Sequence, residues 1–88
     1  MVIINSYAKN ENKKGRLQKQ RIGYNTMEEA MKNIEETHNL LEKQYNEFLV
    51  KNNLGKIKKE VVREGNKIIA TFSNENIGTT QYFIEFEE

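Results

Sequence analysis

The chain has 88 residues, of which 36% are hydrophobic and 31% charged, and its formal net charge is +1. That length allows one hydrophobic core, and the absence of cysteine and proline excludes disulfide scaffolds, thiolate metal sites and proline-rich linkers. No apolar run approaches the about 20 residues of a membrane helix, and the opening Met1–Ile4 is too short for a signal peptide. We therefore expect one soluble, cytoplasmic domain over residues 1–88, without membrane contact.

Two strands are predicted before the first helix. Val2–Ala8 is the first strand and Arg16–Tyr24 the second, joined by the polar connection Lys9–Gly15. The second strand has only a few apolar anchors, which are Leu17, Ile22 and Tyr24. Its pairing partner is therefore left open.

A long helix is predicted over Met27–Asn52, because its apolar residues recur at helical spacing. Thr26 and Glu29 form a capping box at its start, and Gly55 is a left-handed stop beyond its end. The apolar stripe predicts that the helix packs on a sheet through Met31, Ile34, Leu41, Tyr45 and Phe48.

Three further strands are predicted at Lys56–Arg63, Lys67–Ser73 and Thr79–Glu87, since apolar and polar residues alternate there between Gly- and Asn-rich turns. Such a pattern is typical of an antiparallel meander. The predicted class is α+β, with the order ββαβββ and the single amphipathic helix packed on one face of an antiparallel sheet.

The alternation also predicts which residues the helix leaves uncovered. Ile69 and Phe83 point away from the face that carries Ile68, Ala70, Phe72, Tyr82, Ile84 and Phe86. One of Val61 and Val62, and one of Ile3 and Ile4, joins this outward set. A contiguous apolar patch of this kind indicates an interface. The alternative is that long Lys or Glu side chains cover it.

Charge is unevenly distributed along the chain. Lys9–Arg21 carries +5 and Lys56–Lys67 carries +3, whereas the helix carries −3 and Ile68–Glu88 carries −4. Polarised charge favours an oriented encounter with a charged partner, although a Lys-rich hairpin also serves solubility alone. The candidate partner-binding residues are Lys13, Lys14, Arg16, Lys19 and Arg21.

Residues with catalytic or metal-binding chemistry are few. His38, the one histidine, forms an E-x-x-H pair with Glu35, with Glu42 one turn further on, but a di-metal bundle needs that motif twice. His38 is better interpreted as a packed or half-exposed helix residue, or as a pH-sensitive interface residue. Ser6 and Ser73 lack a nearby general base in the sequence. We expect no catalytic, cofactor or metal site, and no enzyme.

The segment Gly15–Ala30 resembles the arm-type DNA-binding domains of tyrosine integrases. The resemblance lies in a basic strand that ends in Gly23 and Tyr24, followed by Thr26 and the Glu29-Ala30 pair that opens a helix. In that family a three-stranded sheet enters the major groove. Here two strands precede the helix and three follow it, so the resemblance implies a nucleic-acid contact by the hairpin without implying that family's fold.

Three functional hypotheses follow. The first is a small non-catalytic protein-binding module that inhibits or modulates a larger host protein, similar in size and composition to anti-CRISPR proteins. The chain's 12 Asn, 11 Lys and nine Ile indicate an AT-rich gene, as in phages and mobile elements. The alternative is a DNA- or RNA-binding regulator that uses the basic Lys9–Arg21 hairpin. A homodimer through the uncovered sheet face or the long helix is the third hypothesis, and it is compatible with both.

Overall fold

The computed structural model describes residues 1–11 and 19–87. Within these residues one helix lies on one face of a five-stranded antiparallel sheet, in the strand order β2-β1-β5-β4-β3. The elements are β1 (Val2–Asn10), β2 (Gln20–Tyr24), α1 (Met27–Lys51), β3 (Lys58–Glu64), β4 (Lys67–Asn74) and β5 (Gly78–Phe86). The predicted α+β class and the ββαβββ order are both confirmed.

The first strand is longer than predicted, because its second half has a partner from the other end of the chain. Beyond Tyr7, β1 continues its antiparallel pairing with β5 as far as Asn10, which lies opposite Thr80. The second strand begins at Gln20 instead of Arg16, and residues 16–18 lie outside the described part of the chain. This arrangement places β1 in the interior of the sheet, between β2 and β5.

Helix α1 begins with the predicted cap and ends differently from the prediction. The Thr26 hydroxyl accepts a hydrogen bond from the Glu29 amide at 3.1 Å. At the other end, Asn53 is the left-handed residue, with φ 56°, and the Leu54 amide donates to the Leu49 carbonyl at 2.8 Å. This is a Schellman motif with Asn in the place usually taken by Gly. Gly55, the predicted stop, lies two residues further along.

The core between α1 and the sheet forms two clusters. The first consists of Ile4, Ile34, Ile68, Ile84 and Phe86. The second consists of Leu49, Ile57, Ala70 and Phe72. Together they hold most of the predicted inward set, with Tyr82 half-buried beside the second cluster.

The predicted packing face of the helix is wrong at one residue, Phe48. Phe48 is 51% exposed, whereas Leu49 is fully buried. The inward stripe runs through Ala30, Ile34, His38, Leu41, Tyr45 and Leu49. From Tyr45 the stripe continues four residues further, to Leu49, which contacts the sheet. The Phe48 side chain points about 100° away from that of Leu49 around the helix axis.

Asn74 joins the loop after α1 to the turn between β4 and β5. Its side-chain NH₂ group donates to the backbone carbonyls of Leu54 and Lys56, at 3.1 and 2.9 Å. Its side-chain oxygen accepts from the backbone N–H of Asn76 at 2.7 Å. Gly55 lies between these two acceptors with φ +93°, a conformation that favours glycine. Asn74 thus satisfies backbone groups that no helix or strand pairs.

Candidate binding surface

The outer face, the side of the sheet away from α1, carries a row of apolar side chains. The row crosses four strands: Tyr7 lies opposite Phe83, Phe83 opposite Ile69, and Ile69 opposite Val62. Residues opposite one another in an antiparallel pair project from the same side of the sheet. We call these four residues the outer row.

The structure places both predicted outward residues, Ile69 and Phe83, in the outer row, where they are half-buried. Of the adjacent valines, Val62 is the outward one, and it is 41% exposed. Tyr7 has only 6% of its surface exposed. Its ring stacks on Phe83 with the centroids 4.9 Å apart and the planes 9° from parallel. The exposed apolar surface therefore lies mainly toward β3, over Phe83, Ile69 and Val62.

Two lysines lie against the aromatic pair. The Lys9 ammonium is 5.7 Å from the centroid of the Phe83 ring, and the Lys19 ammonium is 5.9 Å from that of Tyr7. Both distances allow a cation–π attraction. The two ammonium groups therefore lie beside the aromatic pair, on the side of the outer row toward β1 and β2. The predicted apolar patch and lysine side chains beside it are both present, and the use of this patch as an interface stays a prediction.

Polar contacts fix the end of the outer face nearest Glu87. The Arg21 guanidinium donates to the Glu87 carboxylate at 2.6 Å, and the Asn5 amide donates to it at 2.9 Å. These two hydrogen bonds hold the pKa of the Glu87 carboxyl below its usual value. Beside them, Glu85 accepts from the Tyr7 hydroxyl at 2.7 Å. Arg21 is therefore paired with a carboxylate of its own chain, and the charge of Lys19 also acts on Glu87.

Charge on the outer face changes sign across the sheet. Strands β1 and β2 contribute Lys9 and Arg21, with Lys19 immediately before β2. On β3, at the opposite edge, Glu60 and Glu64 lie on either side of Val62 and share its face. Lys58 lies at the far end of the same strand. The outer row is thus flanked by basic groups at its β2 end and by acidic groups at its β3 end.

The predicted partner-binding residues divide into two groups. Lys13, Lys14 and Arg16 lie outside the described residues. Lys19 and Arg21 lie on the outer face, and the structure brings Lys19 together with Lys9 at the aromatic pair. Lys9 was missing from the predicted set. Its signal was available, because in a strand a residue two positions after Tyr7 shares its face.

An exposed aromatic residue, Phe48, lies on the side of the molecule that carries α1. Phe48 and Leu41 line a groove between α1 and β5 with a volume of about 480 Å³. At its base the hydroxyls of Tyr45 and Tyr82 are 2.8 Å apart, and burial, followed by this hydrogen bond, raises the pKa of Tyr82. Within residues 1–11 and 19–87, the side chains that line this groove are uncharged, unlike those beside the outer row.

His38 is the buried titratable residue of the helix face. It is 5% exposed, and its Nε2 atom has no hydrogen-bond partner within residues 1–11 and 19–87. Lys59 lies nearby on β3, where its ammonium donates to Asn39 and to Glu42, at 3.2 and 3.3 Å. Burial, and next the charge of Lys59, lower the pKa of His38. In the described residues no three His or acidic side chains are grouped as metal ligands would be.

The fold is expected to lose stability as the pH falls below about 6.5, the pKa of an unfolded histidine. Because the pKa of His38 is lowered in the folded state, the unfolded chain binds the proton more readily, and acidification favours unfolding. His38→Met removes the imidazole that takes up this proton. The melting temperature of this variant is expected to depend less steeply on pH between about pH 7.5 and 5. Thermal unfolding of both forms across that range measures the effect. An equal slope in both would contradict the assignment.

Comparisons of the chain with protein-family profiles, with curated proteins and with solved structures give no match. Within the described residues no helix is long and apolar enough to cross a membrane. The outer row and the charges beside it are the features of the described residues that indicate a binding surface.

Proposed function

We propose that this chain is a non-catalytic protein-binding module that captures a larger protein through the outer face and thereby inhibits or modulates it. The partner surface that fits is an apolar patch bordered by acidic groups. One observation carries the proposal. Phe83, Ile69 and Val62 lie side by side on the face without the helix, next to the ammonium groups of Lys9 and Lys19.

The composition of this surface supports a protein interface. Single exposed apolar residues are common on any protein, whereas adjoining ones with a polar border mark a contact surface. An aromatic residue at the centre of the patch and charged groups at its rim match the usual anatomy of such contacts. Phe83 occupies the central position, with Tyr7 and Ile69 on either side of it.

Charge favours a protein over a nucleic acid as the partner. A nucleic-acid surface needs an excess of basic groups facing the phosphates. Among the described residues of the outer face, the basic side chains lie with four glutamates, which are Glu60, Glu64, Glu85 and Glu87, and the net charge of the chain is +1. A nucleic-acid regulator that uses the Lys9–Arg21 hairpin stays the alternative.

Capture from a nuclease-treated lysate of the cells that carry the gene tests the proposal. Three immobilised baits are compared: the unchanged chain, Phe83→Glu on the outer face, and Phe48→Glu in the groove beside α1. We expect a protein that the unchanged chain and Phe48→Glu retain and that Phe83→Glu loses, because a carboxylate in an apolar contact is poorly compensated. Melting curves of all three baits verify that each is folded.

Two results would contradict the proposed function. Equal capture by Phe83→Glu would show that the outer face is not the binding surface. In a separate incubation without nuclease or lysate, retention of labelled random-sequence duplex DNA by the unchanged chain, together with no captured protein that depends on Phe83, would favour the nucleic-acid alternative.

The lysines beside the aromatic pair are expected to act on the rate of association. Lys9→Gln together with Lys19→Gln removes two charges and keeps polar stems beside the rings. Binding of the captured partner is expected to slow by about tenfold at low salt and to approach the unchanged rate at high salt. Surface plasmon resonance across a salt series measures this.

The matched control for that variant is Lys32→Gln with Lys43→Gln, two exposed helix positions with the same loss of charge. It is expected to associate at the unchanged rate. If the variant at Lys9 and Lys19 also associates at the unchanged rate at low salt, these two lysines do not steer the partner.

A further inference from the structure

We propose that, in the absence of its partner, a second copy of this chain covers the outer face, with the two sheets packed face to face about a two-fold axis parallel to the strands. This inference rests on the proposed function, because it names a second occupant that regulates the same surface. The distribution of charge across the strand order and the self-complementary shape of the outer row carry it.

Strand order distinguishes two ways of stacking the sheets. Aligned sheets pack with their faces about 10 Å apart. An axis that runs along β5 places β2 of one copy over β3 of the other, and β1 over β4, because β5 is the central strand. An in-plane axis perpendicular to the strands would instead place every strand over its own copy.

Charge favours the first arrangement. With the axis along β5, Lys19 and Arg21 lie over Val62 and Glu64 of the second copy, with Glu60 of that copy alongside. The axis repeats each contact, so that both ends of the interface join basic groups to acidic ones. With the other axis, the basic edges of the two copies would lie over each other.

The outer row complements itself under the same axis. Phe83 meets Phe83 of the second copy, and Tyr7 lies over Ile69 on both sides. Each aromatic ring beside the centre thus faces a smaller aliphatic side chain. Glu85 also faces its own copy, but its carboxylate already accepts from the Tyr7 hydroxyl and has the Lys67 ammonium 3.8 Å away.

The size of the face indicates a reversible contact. Five strands about 4.8 Å apart give a width of about 24 Å, and such a face buries on the order of 1,000 Å² in total. That is the lower end for a specific interface. We therefore expect a dimer that dissociates at micromolar concentration and that a tighter partner displaces.

Sedimentation velocity from low to high micromolar concentration tests this inference. The unchanged chain is expected to pass from one to two copies, and Phe83→Glu to stay at one. Arg21→Glu and Glu64→Lys change two residues that the axis places over each other, and each is expected to raise the dissociation constant by about tenfold, because every contact occurs twice. The double variant restores a pair of opposite charges at that contact and is expected to dimerise more tightly than either single variant.

Glu47→Lys, the same charge change at an exposed helix position, is the control and is expected to leave the dimer unchanged. An unchanged chain that stays monomeric overturns the inference, as does a double variant that dimerises no better than the single ones. Either result leaves the proposed function intact if lysate capture still depends on Phe83. If the unchanged chain dimerises but Phe83→Glu captures the same proteins from the lysate, the dimer contact is supported and the proposed function is overturned.

Discussion

Leu49→Ala is expected to lower the free energy of unfolding by about 2–5 kcal/mol, the range for removing a fully buried Leu side chain from a core. Leu49 has none of its surface exposed, and it anchors the cluster that joins α1 to Ile57, Ala70 and Phe72. Because small domains have about 5–15 kcal/mol in total, this is a large fraction of the stability. Equilibrium unfolding in urea, with midpoint and slope compared to the unchanged chain, measures it.

The adjacent residue supplies the control. Phe48→Ala removes a larger side chain, but one that is 51% exposed, and we expect a cost of about 1 kcal/mol or less. A larger cost at Phe48 than at Leu49 would mean that the helix is rotated relative to the described packing.

Asn74→Ala is expected to cost about 2–3 kcal/mol, the second large effect. The substitution removes three hydrogen bonds, to Leu54, Lys56 and Asn76, each worth about 1 kcal/mol. It also leaves the loop after α1 joined to the turn between β4 and β5 only through the bond from Asn76 to the Leu54 carbonyl, among the side-chain hydrogen bonds of the described residues. The same urea experiment measures the loss.

Asn76→Ala is the matched control, since the Asn76 side chain makes one bond, at 2.9 Å, to the Leu54 carbonyl. We expect a cost of about 1 kcal/mol or less. Equal costs at the two positions would contradict the connecting role assigned to Asn74.

Element types and order could be predicted because their signals are local. Thr26 and Glu29 mark the helix start, and alternation between the turns at Gly65 and Gly78 marks the last strands. The Ile69 and Phe83 positions follow from the same alternation, because side chains two residues apart share a face. For this reason the outward pair was identified from the sequence alone.

The remaining features depend on contacts between distant segments. The place of β1 between β2 and β5 results from pairing across seventy residues or more, as between Asn10 and Thr80. The Tyr7–Phe83 stack follows from that pairing. The choice of Leu49 over Phe48 depends on how α1 crosses the sheet. Neither composition nor periodicity contains this information.

Photo-cross-linking from the outer face tests the central claim most directly. A benzophenone amino acid replaces Phe83 in one form of the chain and Phe48 in another, and each form is irradiated with the protein identified by capture. We predict a covalent product with that protein from position 83 and none from position 48, while a product of two chains in its absence reports the dimer. A partner product from position 48 with none from position 83 would contradict the account.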